Sequence, residues 1–172
     1  TSMYPSIIMS LNISPETKLG KLDSWDVEPF LKGVDRTYSI KDKNGKESAK
    51  LTTSEFKNFL ETHNVSISSN GVLYTQDKRG LIPTLLEKWF DDRVQFRKLA
   101  KKFAEQGDKE KYAYFDRRQY IQKVVLNSLY GVLGLPIFRF YDLDNAEATT
   151  TTGVELIKYT KRMSNHFYNS VV

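Results

Sequence analysis

The sequence predicts an α+β protein in which two long helices form an antiparallel hairpin attached to further helical and extended pieces, with a small α+β insert. Three observations carry this reading. An apolar stripe of helical period, Leu85, Leu86, Trp89, Phe96, Leu99 and Phe103, follows Pro83. A second stripe, Ile121, Val125, Leu129 and Val132, lies beyond a Gln106-Gly107-Asp108 break. Upstream, short alternating segments surround Asn44-Gly45 and Asn70-Gly71, dipeptides that favour tight hairpin turns.

Taken in order, residues 3–13 (MYPSIIMSLNI) are apolar and β-branched, which predicts a strand or a tight extended turn. Ser14-Pro15-Glu16 marks a turn or a helix start. Asp26 to Leu31 suits a short helix stopped by Gly33. The segments RTYSI and ESAKL flank the first Asn-Gly turn. Thr52 and Glu55 fit a capping box that opens a helix, with Phe56, Phe59 and Leu60 on one face. VSISSNGVLYT reads as a strand pair.

The first long helix starts near Pro83, where a first-turn proline is tolerated, and runs to about Glu105. The second runs from about Lys109 to Leu133 and is ended by Gly134-Leu135-Pro136. A short Gly-containing connection packs such helices as a hairpin. IFRFYDL reads as a strand or extended connection, and Asn145 to Tyr168 as a final helix in which the Thr149–Thr152 run weakens the start. No repeat or low-complexity tract is evident.

The formal charge of the 172 residues is +5. Eleven basic and six acidic residues lie between Lys88 and Lys123, so the helical pair carries an excess equal to that of the whole chain. Arg93, Arg97 and Lys101 recur every four residues as one cationic ridge. Lys123, Asn127 and Tyr130 share a face of the second helix. Guanidinium forks and an ammonium group converging from two helices suit phosphate oxygens, and a tyrosine offers a flat face to a base or sugar. Charge and spacing alone fit either a solvated basic face or a binder of phosphate or nucleic acid.

Other classes are excluded or unsupported. The chain has no cysteine, which rules out disulfides and thiolate zinc sites. His63 and His166 lie far apart and read as ordinary surface or core residues. No apolar run approaches the roughly 20 residues that span a bilayer, and no signal peptide opens the chain. It starts at Thr1 rather than Met, so we expect a segment excised from a longer protein.

Two segments narrow the reading. TSMYPSII (1–8) resembles the first palm motif of family B DNA polymerases, D-x-x-S-L-Y-P-S-I, and KVVLNSLYG (123–131) matches their fingers motif, K-x-x-x-N-S-x-Y-G. Their order and spacing, with the flanking GLIP (80–83) and FRFYDLDNA (138–146), also resemble the family, most of all the polymerases of T-even-like phages. The resemblance implies a fingers hairpin at 80–133 attached to palm pieces at 1–20 and 134–172. It leaves 21–79 as an insert that matches poorly.

By resemblance, the backbone amides of Ser2 and Met3 face a triphosphate. Tyr4 supports the incoming sugar and excludes ribonucleotides. Arg93 and Arg97 grip the β- and γ-phosphates. Lys123 is the catalytic residue that stabilises charge as pyrophosphate leaves. Asn127 lines the pocket, and Tyr130 and Gly131 pack beneath the nascent base pair. Relatives of this kind carry lysine where Arg97 stands, so the charge is kept and the donor geometry changed.

The implied partners are deoxynucleoside triphosphates and primer–template DNA, with a sliding clamp bound through a missing C-terminus. The implied cofactor is Mg2+, and the expected setting is the cytoplasm of a phage-infected bacterium, with no membrane contact. The family's metal-binding aspartates fall upstream of Thr1 and beyond Val172, so no metal ligand is assigned and the isolated chain is expected to be inactive. Asp91, Asp92, Asp142 and Asp144 read as helix-start and loop residues, not as substitutes. A basic nucleic-acid-binding module without catalysis, and a protein-primed polymerase, are the competing readings.

Overall fold

Residues 3–13, expected to be extended, instead open with helix α1 (Met3–Leu11). The computed structural model describes residues 3–171. Tyr4, Ile7, Ile8 and Leu11 fall at i, i+3, i+4 and i+7, and burial of Ile7 and Ile8 along this stripe outweighs the strand preference of β-branched residues. Pro5 lies in the first turn, where its missing N–H has no intrahelical partner to lose.

Asn12 ends α1 with φ at 59° and is fully buried. Its Nδ2 donates to the carbonyls of Thr75 (2.6 Å) and Lys78 (2.9 Å), and its Oδ1 accepts from the Gly80 amide at 2.9 Å. One side chain thus ties three chain segments together.

The strands are β1 (Lys18–Leu22), β2 (Thr37–Asp42), β3 (Glu47–Thr52), β4 (Val65–Ile67) and β5 (Val72–Thr75). They pair antiparallel in the order β3-β2-β1-β5-β4. Both Asn-Gly sites are hairpin turns, as expected. Helix α2 (Val27–Leu31) is capped by Asp26. Helix α3 (Thr53–Thr62) carries the Thr52–Glu55 capping box.

β5 separates two cores. Val72 and Tyr74 face a cluster with Ile7, Ile8, Ile82, Leu86, Leu126, Leu129 and Leu133. Leu73 points the other way, into a cluster with Leu22, Tyr38, Ile40, Phe56 and Val65. This is the two-residue alternation of a strand buried on both faces. Aromatic rings dominate the second core, with Trp25 at 5.0 Å from Phe30 and Tyr38 at 5.3 Å from Phe56.

Helices α4 (Leu81–Glu105) and α5 (Lys109–Leu133) match the expected limits and pack along one another. The start of α4 shares the first core with the end of α5. The end of α4 meets the start of α5, where Phe103 stacks on Phe115 at 5.5 Å. Gly107, at φ 72°, makes the turn between them.

Residues 135–141 are not a strand. Successive turns occupy the segment, with the Phe138 amide bonded to the Leu135 carbonyl (2.8 Å) and Tyr141 to Phe138 (3.0 Å). The strand-like composition of IFRFYDL meets no partner edge, and Phe138 and Phe140 instead pack on the first core. Helix α6 (Leu143–Val171) begins before the threonine run. Thr149, Thr150 and Thr151 bond back to carbonyls of the preceding turn, which satisfies their hydroxyls inside the helix.

Lys18 on β1 joins the sheet to α6. Its Nζ lies 3.0 Å from Asp142 and 2.7 Å from Asp144, and Lys21 reaches Asp144 at 2.7 Å. Burial disfavours the Lys18 charge, but hydrogen bonds to Asp144 and Asp142 outweigh it and raise its pKa above the ordinary value. Burial likewise opposes the Asp144 charge, and the two lysines overcome it and lower its pKa.

Candidate functional site

The site is assembled from α1, α4 and α5. Leu126, Leu129 and Leu133 are buried in the first core and fix the rotation of α5 about its axis. That rotation puts Lys123, Asn127 and Tyr130 about 90° round the helix from the buried stripe, on a partly open face. Tyr130 leans from this face onto Tyr4 of α1. The two rings stack with centroids 4.4 Å apart and planes inclined by 27°.

Lys123 is half-buried, and Asn127 is exposed. Gly131 is exposed, and a Cβ added there would meet nothing within 4 Å. On α4, Arg93 is half-buried and Arg97 exposed. Counting equal numbers of residues away from the Phe103–Phe115 stack brings Arg93 level with Val125, about half a turn from Lys123. The Nε of Arg93 is buried with no hydrogen-bond partner among the described residues. Arg93, Arg97 and Lys123 form no ion pair with a carboxylate among those residues. Lys101, the third member of the ridge, turns toward Glu105 at 3.9 Å. Arg118 instead lies over the Tyr114 and Phe96 rings, at 5.2 and 5.7 Å.

Met3 is the first residue of α1 and is exposed, so its amide belongs to the helix's unsatisfied first turn. Ser2 lies outside the described residues. Within the described chain, therefore, Tyr4 and Tyr130 are brought into contact. Lys123 and Asn127 share the Tyr130 face, and Arg93 on the neighbouring helix comes within about half a turn of the level of Lys123. Cations without acid partners, an open glycine and a pair of stacked tyrosines can together receive an anionic ligand that carries a flat or ring-shaped part.

The sequence profile of DNA polymerase family B matches residues 1–171. The chain belongs to the family B DNA polymerases. It is 27% identical to the DNA-directed DNA polymerase of Enterobacteria phage T4, over 99% of this chain and 22% of that protein. It is 30% identical to the DNA polymerase of Paramecium bursaria Chlorella virus NY2A, over 94% of the chain and 15% of the relative. The solved family B DNA polymerase of Pyrobaculum calidifontis superposes with a TM-score of 0.61 at 26% identity, over 94% of this chain and 17% of that one. The chain thus spans about a fifth or less of the curated relatives it matches.

A divalent cation of the kind expected for a family B polymerase finds no fit here. Among the described residues no group of three or more acidic or histidine side chains is placed to hold a metal. Asp142 and Asp144 are occupied by Lys18 and Lys21. Nor does any described helix combine the length and apolarity needed to cross a membrane.

Sequence reasoning did not single out Asn12, Lys18 or Gly153, although all three support the surroundings of the site. A buried asparagine and a lysine pairing across more than a hundred residues leave no local pattern. Gly153 did leave one: a glycine inside an otherwise helical run marks a close approach by a neighbour.

Proposed function

We propose that this chain is the nucleotide-gripping portion of a DNA-directed DNA polymerase, acting on deoxynucleoside triphosphates and primer–template DNA. In this reading α4 and α5 are the fingers hairpin (80–133). α1 and α6 belong to palm pieces (1–20 and 134–172), and 21–79 is an insert whose sheet also recruits β1.

The observation that carries the reading is the Tyr4–Tyr130 stack. It joins the two polymerase-like motifs, far apart in sequence, at one surface, and α4 and α5 carry cations that have no acid partner among the described residues. The triphosphate lies against Arg93, Arg97 and Lys123, with further donors from the amides that open α1. The sugar rests on Tyr4, whose ring fills the space of a 2′-hydroxyl. Asn127 borders the pocket, while Tyr130 and the open Gly131 surface lie under the new base pair.

Lys123 then acts in the reaction itself, holding negative charge on the departing pyrophosphate. The metal-binding carboxylates of the reaction are not among the described residues, so the isolated chain is expected to give no primer extension.

Tyr4→Ala in a complete polymerase carrying this segment tests the assignment. Single-turnover incorporation should show discrimination against ribonucleotides falling at least about tenfold, as expected when a steric contact worth more than about 1.4 kcal/mol is removed. Unchanged sugar selectivity would sink the reading.

A further inference from the structure

Gly153 lies inside α6 at a buried position where the helix passes α1. A Cβ at this position would sit 3.3 Å from Cε1 of Tyr4, 3.1 Å from Cε of Met3 and 3.6 Å from Cδ1 of Ile7. The first two separations are tighter than ordinary carbon contacts. Met3 can yield, because its tip is flexible and the residue is exposed. The Tyr4 ring has less freedom, since Tyr130 is stacked against it at 4.4 Å. Tyr4 is thus in contact with both the Tyr130 ring and the bare backbone of α6 at Gly153.

Helix propensity alone would favour alanine here, because glycine inside a helix costs about 0.5–1 kcal/mol relative to alanine. The glycine is therefore a local loss for α6, and what it provides is room for the ring.

We infer that Gly153 is a positioning residue for nucleotide selection. By carrying no side chain, it lets the Tyr4 ring settle against Tyr130 at the depth where the incoming sugar meets it. This rests on the proposed role of Tyr4. A methyl group at 153 displaces the ring by a few tenths of an ångström from α6 and so changes the surface on which the sugar rests. The sugar of a correct deoxynucleotide then no longer seats fully, while Lys123 and Arg93 are untouched.

The test uses a complete polymerase carrying this segment, with Gly153→Ala, Tyr4→Ala and the double variant. Single-turnover kinetics are read separately for apparent nucleotide affinity and for maximal rate. Gly153→Ala should weaken apparent deoxynucleotide affinity by about 3- to 10-fold, the scale expected of a sub-ångström displacement, with the maximal rate within about twofold. Thermal stability should be unchanged or raised. In the Tyr4→Ala background the same change should have no effect, because no ring remains to be pushed.

An unchanged affinity in Gly153→Ala, while Tyr4→Ala still relaxes sugar selectivity, overturns the inference and leaves the gate standing. An equal loss with and without the Tyr4 ring also overturns it, since Gly153 would then act by another route. Should Tyr4→Ala leave sugar selectivity intact, the gate reading fails, and the role of Gly153 in nucleotide selection fails with it.

Discussion

The sheet region and the α4–α5 pair are both rich in lysine and arginine, but they treat their half-buried cations differently. Around the sheet, Lys18 and Lys21 pair with Asp142 and Asp144, Lys41 with Asp23, Lys32 with Glu28, and Lys50 with Glu47. On the helical pair, Arg93, Arg97 and Lys123 have no carboxylate partner among the described residues. The paired charges are satisfied within the fold. The unpaired ones remain available to an anion, and the half-buried Arg93 and Lys123 are the more costly to leave so. Composition assigns the positive charge to a region, but pairing separates the charge that builds the fold from the charge that can bind.

The largest expected effect tests the unpaired side. Arg93→Ala or Lys123→Ala in a complete polymerase should cost about 2–4 kcal/mol of transition-state stabilisation, roughly 30- to 1,000-fold in rate. Primer–template affinity should change little. Equal losses in nucleotide use and DNA binding would show that these side chains hold DNA, and the contrast between the regions would lose its meaning for the nucleotide.

Next in size is Asn12, which belongs to neither region but fastens α1 to the start of α4. Asn12→Ala leaves the Gly80 amide and two carbonyls without their partner and puts alanine at a positive φ. Urea unfolding of the chain should record a loss of about 3 kcal/mol. A loss under about 1 kcal/mol would mean that water replaces the side chain at no great cost.

The smallest effects sort the paired charges by burial. Lys18→Met leaves the half-buried Asp142 without a cation and Asp144 with Lys21 alone, and should cost about 1–2 kcal/mol, allowing for partial exposure. Lys41→Ala removes an exposed pair and should stay within about 0.5 kcal/mol.

The Lys18 network also has a pH signature. Asp144 has a lowered pKa, so its contribution is complete above about pH 3.9 and is lost as pH falls below that value. Lys18 has a raised pKa, so its contribution is complete below about pH 10.4 and is lost as pH climbs beyond it. Lys18→Met should flatten both limbs of the melting-temperature profile, and retention of both would place the titration elsewhere.

Much of the secondary structure was legible because its signals are local. The Thr52–Glu55 box, both Asn-Gly turns and the limits of α4 and α5 follow from neighbouring residues. Two segments misled for opposite reasons. In α1 the β-branched composition obscured the Tyr4, Ile7, Ile8, Leu11 period. In 137–143 an apolar, aromatic composition suggested a strand, but Phe138 and Phe140 pack on the first core and the chain turns instead of joining the sheet. The motifs indicated which residues to consider for the site. They gave no hint that Tyr4 would stack on Tyr130, or that Lys18 would cross to α6, because those contacts depend on how distant helices and strands dock.

Strand β5 has a consequence for how the molecule comes apart. Its four residues serve as a party wall, with Val72 and Tyr74 on one side and Leu73 on the other. Neither the aromatic core under the sheet nor the helical core can open without exposing a face of this strand. The insert and the helices that receive it are thereby coupled into one cooperative unit. A lesion at Phe56 or Tyr38, on the far side of the wall from the stacked tyrosines, would reach the site by loosening the strand they both depend on.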